Sequence, residues 1–530
     1  MAENGFISQK NADEQSALPI KTSYYILDRT SGPAPYFLEK VRKETEGILK
    51  GTYGDTYDIY TQGLRIYTTL DATLQEFANE AIQQHMTYLQ KTFEEHWAKQ
   101  DPWHFSPSFF IEALQKTDRY KVLAKKGLTE KEILKELNKP VRTAIYTHQG
   151  EEIVSISPID SLKQSFKILQ TGFLAMDPRN GHVLAWQGGI NYKFFQFDHV
   201  TANRQVGSTF KPIVYATALN RGFLPCEMIA NEQRTYSDNW APANADNEYG
   251  GYYSLKGGLI HSVNTIAAEV IDRVGINNVI TLARQLGIEA TIPQVPSIAL
   301  GTAQISLLEM VSTYTAFPNY GHAIKPVLIL RIEDAQGNIL YQNEDRNHLI
   351  EAFNEDTARE MVQILREVVE RGTANSLYNR YKLQGDYGGK TGTTQNNSDG
   401  WFIGFTPNIV AGVWVGADHP IVRFRTTALG QGAHMALPIF ARFMQKVEGS
   451  SKTKNWTSER FYPLPPHLAE QMDCPDFLED YTPREEMNFF ERLFTPKKEY
   501  ETQSEVRDST QEEKSRGLLN KMKNIFKKKN

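Results

Sequence analysis

The stretch Thr171-Gly172-Phe173-Leu174-Ala175-Met176-Asp177-Pro178-Arg179-Asn180-Gly181-His182-Val183-Leu184-Ala185-Trp186 places two short apolar runs around a turn. Pro178 presets one turn dihedral and Asn180-Gly181 tolerates positive φ, so the spacing predicts a β-hairpin. A second hairpin is predicted far downstream, with Trp401 to Phe405 and Ile409 to Val415 joined at Thr406-Pro407-Asn408. Between the two, helical periodicity occupies most of 208 to 288 and 354 to 372. Strands at both ends of a region with helices between them predict an α+β domain over residues 171–450, an antiparallel sheet packed with helices.

Upstream of that region, Gly63-Leu64-Arg65-Ile66-Tyr67-Thr68-Thr69 alternates as a strand does, and Asp71 is placed to cap a helix through Leu74, Phe77, Ala78 and Ile82. Helical periodicity breaks at Asp101-Pro102-Trp103 and continues towards Leu137, and a turn at Gln149-Gly150 separates two β-rich runs. Residues 61–170 are therefore expected to form a mixed α/β connector with a helical insertion. Residues 1–60, punctuated at Gly32-Pro33 and Ala34-Pro35, show no core pattern of their own. After residue 450 the apolar pattern fades, and 451–530 is expected to be largely disordered. Pro463-Leu464-Pro465-Pro466 reads as a stiff linker and Glu499 to Glu513 as an acidic unstructured run. Lys514 to Asn530 reads as a solvated basic tail; the alternative is a membrane-surface helix presenting Leu518, Leu519, Met522, Ile525 and Phe526.

The 530 residues carry a net charge of -5, with 40% hydrophobic and 23% charged residues, which excludes collagen-like, disulfide-framework and wholly disordered classes. Nothing in that balance points to nucleic acid as a partner. No window approaches the roughly 18 apolar residues of a membrane span, the longest candidate being the strand-sized Ile409 to Ala417. The polar start Met1-Ala2-Glu3-Asn4-Gly5 does not resemble a signal peptide either, so the chain taken alone is expected in the cytoplasm. The sequence leaves open whether its two cysteines, Cys226 and Cys474, pair.

Metal and nucleotide chemistry find no support. The histidines include no H-E-x-x-H, and two distant cysteines make no zinc site. Gly389-Lys390-Thr391 resembles the end of a phosphate-binding loop, but that motif needs Gly where Gln384 stands and a helix after the Thr. No metal or cofactor is expected.

The productive constellation is Ser208-Thr209-Phe210-Lys211, Ser262-Val263-Asn264 and Lys390-Thr391-Gly392-Thr393. Each piece is common by itself, but together and in this order they match the pattern of serine acyl transfer. Residues three apart share a helix face, so with Gly207 as cap the Lys211 amine is expected to reach the Ser208 hydroxyl. A serine needs a base, and a lysine serves only with a lowered pKa, which burial, a helix N-terminus and a second cation such as Lys390 would promote. Pro212 is awkward just inside that helix, where it removes an amide donor. Ser262 and Asn264 are expected where a helix starts after Gly257-Gly258, with Ser262 relaying a proton and the Asn264 amide binding a substrate carbonyl. Lys390 to Thr393 reads as a strand whose Gly392 admits a substrate backbone, whose Thr391 and Thr393 offer hydroxyls to a carboxylate, and whose Lys390 supplies charge. The amides of Ser208 and Thr393 are the natural oxyanion donors.

On these motifs the chain resembles a class A, bifunctional penicillin-binding protein of the bacterial cell wall. Gln205-Val206-Gly207-Ser208-Thr209-Phe210-Lys211-Pro212 is similar to the family's nucleophile segment, and Arg371-Gly372-Thr373-Ala374 and Asp399-Gly400-Trp401-Phe402-Ile403-Gly404 also fit it. The resemblance implies the penicillin-recognising serine transpeptidase fold, preceded by a mixed linker domain. It implies D-alanyl-D-alanine transpeptidation, with Ser208, Lys211 and Ser262 catalytic and Asn264, Lys390, Thr391, Gly392 and Thr393 binding substrate. The implied partners are peptidoglycan stem peptides as donor and amine acceptor, β-lactams as inhibitors, and a cell-wall synthesis complex. It also implies a location at the periplasmic face of the cytoplasmic membrane. The family's upstream anchor and glycosyltransferase motifs are not found, while Met1 to Pro19 and Ala34-Pro35-Tyr36-Phe37 look like that domain's last turns and the linker after it. The chain is therefore expected to be a truncated product without glycan polymerisation.

A serine β-lactamase or a D,D-carboxypeptidase shares the chemistry, and sustained hydrolysis of a chromogenic β-lactam would favour the lactamase. A non-catalytic scaffold would be expected to have lost one of Ser208, Lys211 or Lys390, and all three are present.

Overall fold

The computed structural model describes residues 2–17, 32–104, 106–147, 149–344 and 349–482. The acidic run and the basic tail expected at the C-terminal end lie outside the described residues. At the centre stands a five-stranded, wholly antiparallel sheet in the order Gly388–Thr393, Asp399–Phe405, Val410–Gly416, Gln170–Met176, Val183–Gln187. The two hairpins read from the sequence are thus neighbours, joined by pairing of Val410 with Met176 and Gly412 with Leu174. Three of these strands are buried along their whole length. Both faces are covered, which is why their sequences are continuous apolar runs rather than alternating ones. Gly412 faces Leu307 and Val311 of the Leu307–Tyr314 helix, whereas Gly404 faces Phe440 of the Leu437–Gly449 helix on the opposite side.

The connector expected over 61–170 divides. Its strand, Arg65–Thr68, pairs with Ile329–Glu333, and its first helix, Ala72–His96, packs on Leu437–Gly449 within the main core. Asp71 caps that helix as expected, accepting from the amides of Thr73 and Leu74. Farther along, Leu114, Ile133 and Leu137 form a small separate core beside the Val141–Thr147 and Gly150–Ile156 hairpin. The Pro35–Tyr53 helix has no core of its own either; its Tyr36, Phe37 and Leu49 are buried in the main one.

Four expectations need correction. Helix does not fill 208 to 288, because 221–251 is mostly loop carrying the short strand Met228–Ala230. Gly257 and Gly258 lie inside the helix Leu255–Ile260 rather than ahead of one. Pro212 is not awkward, since the Gly207–Phe210 turn is a 3-10 helix and the α-helix proper begins at Lys211, which puts Pro212 at a position whose amide has no intrahelical partner. Residues 451–482 are built, not disordered. The short helix Pro466–Gln471 follows the proline-rich run, Phe477–Leu478 pairs with Tyr252–Ser254, and Cys474 is disulfide-bonded to Cys226. Among the described residues, no helix is long and apolar enough to cross a membrane.

Candidate active site

The turn that carries Ser208 is assembled from three backbone segments in close contact. Gly207 has φ +55 and donates its amide to Gly301 O, and a Cβ at Gly207 would stand 2.7 Å from Thr393 O. A Cβ at Gly301, itself at φ +73, would lie 1.8 Å from Gly207 O. Only residues without a side chain fit both places. Their packing brings the Ser208 turn against the end of the Gly388–Thr393 strand, where the two expected oxyanion amides are carried. The Thr209 carbonyl accepts from buried Tyr314 Oη at 2.7 Å, and the Gln205 carbonyl from Trp401 Nε1 at 2.8 Å.

Lys211 and Lys390 are both fully buried, at 0% exposure. Lys211 Nζ donates to Ser262 O at 2.6 Å, Asn264 Oδ1 at 2.8 Å, and Ser262 Oγ and Val263 O at 3.3 Å. Lys390 Nζ donates to the same Ser262 Oγ at 2.9 Å and to Thr391 O at 3.2 Å. Neither lysine has a carboxylate partner among the described residues. Burial, with the Lys390 charge behind it, therefore holds Lys211 well below the ordinary lysine range. Burial alone takes Lys390 to about 7. The expected Lys211–Ser208 hydrogen bond is not formed. The first α-helical turn begins at Lys211 itself, so the amine extends to the Ser262 turn, whose carbonyls and side chains satisfy it.

Ser262 is neither a helix cap nor in a helix. It sits at φ +60 in the turn between the helices Leu255–Ile260 and Asn264–Val274, a conformation that costs a non-glycine residue about 1–3 kcal/mol. That turn points its hydroxyl between the two lysines. Asn264 Oδ1 is taken by Lys211 and one of its two Nδ2 hydrogens by Ala243 O at 2.8 Å, which leaves the second as a donor. On the opposite wall, Thr391 Oγ1 shares a 2.7 Å hydrogen bond with Thr373 Oγ1, and Thr393 Oγ1 accepts from the Gly432 amide at 3.0 Å. Gly392 faces Thr209 and Trp401.

Sequence reasoning missed the side chains that hold this arrangement. Buried Asn244 Oδ1 accepts from the amides of Asn264 at 3.0 Å and Thr265 at 3.2 Å, capping the Asn264–Val274 helix from a distant loop. Its Nδ2 donates to Asn231 Oδ1 at 2.8 Å, and Asn231 Oδ1 also accepts from Thr265 Oγ1 at 2.7 Å. At the far end of the site Asp399 accepts from Thr394 Oγ1 and from Trp414 Nε1, fixing the loop after Thr393. Thr373 and Asp399 lay within segments that the sequence had singled out, whereas Asn231 and Asn244 did not.

The arrangement holds one serine in a 3-10 turn, two buried amines of lowered basicity around the hydroxyl of a second serine in a strained turn, and strand hydroxyls beyond them. These parts can move a proton and hold an anion without a metal ligand set; among the described residues no cluster of metal-ligating side chains occurs.

Residues 171–445 match the family described as the penicillin binding protein transpeptidase domain, and 97–169 match the penicillin-binding protein middle domain. Penicillin-binding protein 1A of Aquifex aeolicus is 29% identical over 498 residues, which cover 90% of this chain and 64% of that protein. The chain thus spans just under two thirds of that relative's length. The structure resembles penicillin-binding protein 1A of Haemophilus influenzae with a TM-score of 0.62 at 21% identity, covering 88% of this chain and 76% of the other. It resembles PonA1 of Mycobacterium tuberculosis in complex with penicillin V with a TM-score of 0.57 at 20% identity, covering 82% of this chain and 96% of the other. At these identities the likeness is one of fold.

Proposed function

Because this chain belongs to the penicillin-binding protein transpeptidase family, we propose that it is a serine D-alanyl-D-alanine transpeptidase that cross-links peptidoglycan stem peptides and is acylated by β-lactams. The observation that carries this reading is the sharing of Ser262 Oγ by Lys211 at 3.3 Å and Lys390 at 2.9 Å, both amines buried and with no carboxylate partner among the described residues. Two adjacent ammonium groups so placed repel, and dropping one proton relieves the repulsion. A neutral Lys211 needs only two of its acceptors for its N–H groups and keeps a lone pair for the Ser208 proton.

In this reading Ser208 Oγ attacks the penultimate carbonyl of the donor peptide and its proton passes to Lys211. The developing oxyanion is held by the Ser208 and Thr393 amides. As the C–N bond breaks, the proton moves from Lys211 through Ser262 to the nitrogen of the departing D-alanine, which leaves as an amine. Lys390, Thr391 and Thr393 hold the terminal carboxylate, and Gly392, whose missing side chain makes way for Thr209 and Trp401 rather than for substrate, lets the strand pack close to the Ser208 turn. An amine of a neighbouring stem then attacks the acyl-enzyme, gives up a proton by the same route and frees Ser208. Water in place of that amine gives a D,D-carboxypeptidase outcome. Asn264 orients Lys211 through Oδ1 and offers its second Nδ2 hydrogen to a carbonyl of the donor peptide. The substrate lies outside the cytoplasmic membrane, and the Cys226–Cys474 disulfide supports an oxidising compartment. Association with a cell-wall synthesis complex belongs to the same reading.

Labelling with a fluorescent penicillin tests it. Wild type is expected to be labelled covalently and Ser208→Ala not at all; labelling that survives the substitution overturns the assignment.

A further inference from the structure

The two walls of the site meet at a carboxylate that belongs to neither. Asp476 lies in the C-terminal segment beyond the matched transpeptidase residues, and its side chain is 12% exposed. One of its oxygens bonds His261 Nε2 at 2.9 Å, and His261 immediately precedes Ser262. The other accepts from Arg371 Nη2 at 2.9 Å, and Arg371 Nη1 also pairs with the carboxylate. Arg371 begins the turn Arg371-Gly372-Thr373, in which a Cβ at Gly372 would stand 2.5 Å from Ile260 O and Thr373 holds the hydroxyl of Thr391. One side chain therefore grips the residue before Ser262 and, through Arg371, the turn that bonds the strand next to Lys390.

The grip is itself anchored. Asp476 O accepts from the Ser254 amide at 2.9 Å, and Ser254 Oγ caps the Leu255–Ile260 helix that leads to Ser262. The Gly257 backbone lies directly against Asp476, Phe477–Leu478 pairs with the Tyr252–Ser254 strand, and Cys474 is bonded to Cys226. Behind Arg371, Glu367 pairs with it and with buried Lys256, so the charges around Asp476 are matched.

We propose that Asp476 is a positioning residue for the acyl-transfer site, holding the Ser262 turn in register with the Lys390–Thr393 strand. The C-terminal segment is thereby a working part of the site. This rests on the transpeptidase reading only for its kinetic consequence; the mechanical link between Asp476 and both walls stands apart from it.

The test uses the full chain with Asp476→Ala and Asp476→Asn, read in two ways. Time courses of fluorescent penicillin labelling separate the rate constant per reactive molecule from the final labelled fraction. Asp476→Ala is expected to slow the rate constant about ten- to a hundredfold, as misplaced reacting groups do, with the labelled fraction unchanged. Asp476→Asn, which keeps one acceptor oxygen, should fall between it and wild type. A fall in labelled fraction alone would indicate a purely structural role and overturn the proposal. Amide hydrogen exchange without any ligand is the second reading. Faster exchange is expected together in peptides covering 259–264 and 371–375, and an unchanged rate in either overturns the proposal whether or not wild type reacts with penicillin. Wild type that exchanges as expected against its variants but takes no label at Ser208 would instead defeat the transpeptidase reading.

Discussion

Lys390 and Ser262 face each other at 2.9 Å but are held there by different means. Lys390 rides on a strand whose every residue pairs with Asp399–Phe405, regular backbone buried beneath Trp401 and Phe402. Ser262 sits at φ +60 between two helices, and its wall also includes Gly207 at φ +55. No ladder secures that wall. It depends on side chains reaching in from elsewhere: Lys211 from the next helix, Asn244 from the 231–251 loop and Asp476 from the C-terminal segment. A wall of irregular backbone can aim groups that a strand cannot, and the cost is that many separate residues must keep it in place.

The contrast can be tested by removing one support at a time. The largest effect is expected from Lys211→Met, which deletes both the proton acceptor and the bonds to Ser262 and Asn264. Acylation by penicillin, followed as a rate constant, should fall about 10²–10⁴-fold, the usual contribution of a positioned acid–base group. A fall of less than tenfold would mean that another group takes the Ser208 proton. In wild type the same rate should rise with pH through the depressed pKa of Lys211, because only the neutral amine accepts a proton.

Asn244→Ala should come next. It strips the cap from the Asn264–Val274 helix and leaves the amides of Asn264 and Thr265 without their acceptor, a loss of about 1–3 kcal/mol, while Asn231 Oδ1 keeps only its bond from Thr265. Acylation is expected to drop about tenfold with the melting temperature lowered. The equivalent disturbance of the strand wall, Thr373→Val, should cost less, since the ladder remains. If the two were equally harmful, the contrast between the walls would be wrong.

The last effect concerns stability rather than rate. Lys390 has a folded pKa of about 7, below the roughly 10.4 of an unfolded lysine. Between those values the unfolded chain binds more protons, so wild type gains stability as pH rises from about 7 towards 10, and the cost of burying the amine is complete below about 7. Lys390→Met should therefore melt higher than wild type near pH 6, with the advantage shrinking towards pH 10. Thermal melts across that range check it, and an advantage that grows with pH contradicts it.

Much of the strand wall was legible in advance. The apolar runs around Asp177-Pro178-Arg179-Asn180-Gly181 and Thr406-Pro407-Asn408 announce their hairpins because turn chemistry is local. The helical wall was legible only as residue types. Ser262 was expected where a helix starts because its neighbours favour helix; the turn it occupies is held by bonds to Lys211 and Lys390 from afar. The segment after residue 450 looked unstructured because it has few apolar residues. The order of 451–482 comes from a disulfide, a two-residue pairing and one carboxylate, and none of these leaves a periodic signal.

Ser208, Lys211, Ser262, Asn264 and Lys390 to Thr393 were all named by the order of three short motifs, since acyl transfer demands those functional groups whatever the backbone around them. The sequence alone determined that set of functional groups, together with the α+β class that follows from where the strands and helices fall. Tertiary structure alone decided which group Lys211 touches, that Cys226 and Cys474 meet, and that Asn244 and Asp476 hold the site. Periodicity and turn propensity report the backbone a few residues at a time. A buried amine's partners are set by which distant segments pack against it, and that depends on the whole chain at once.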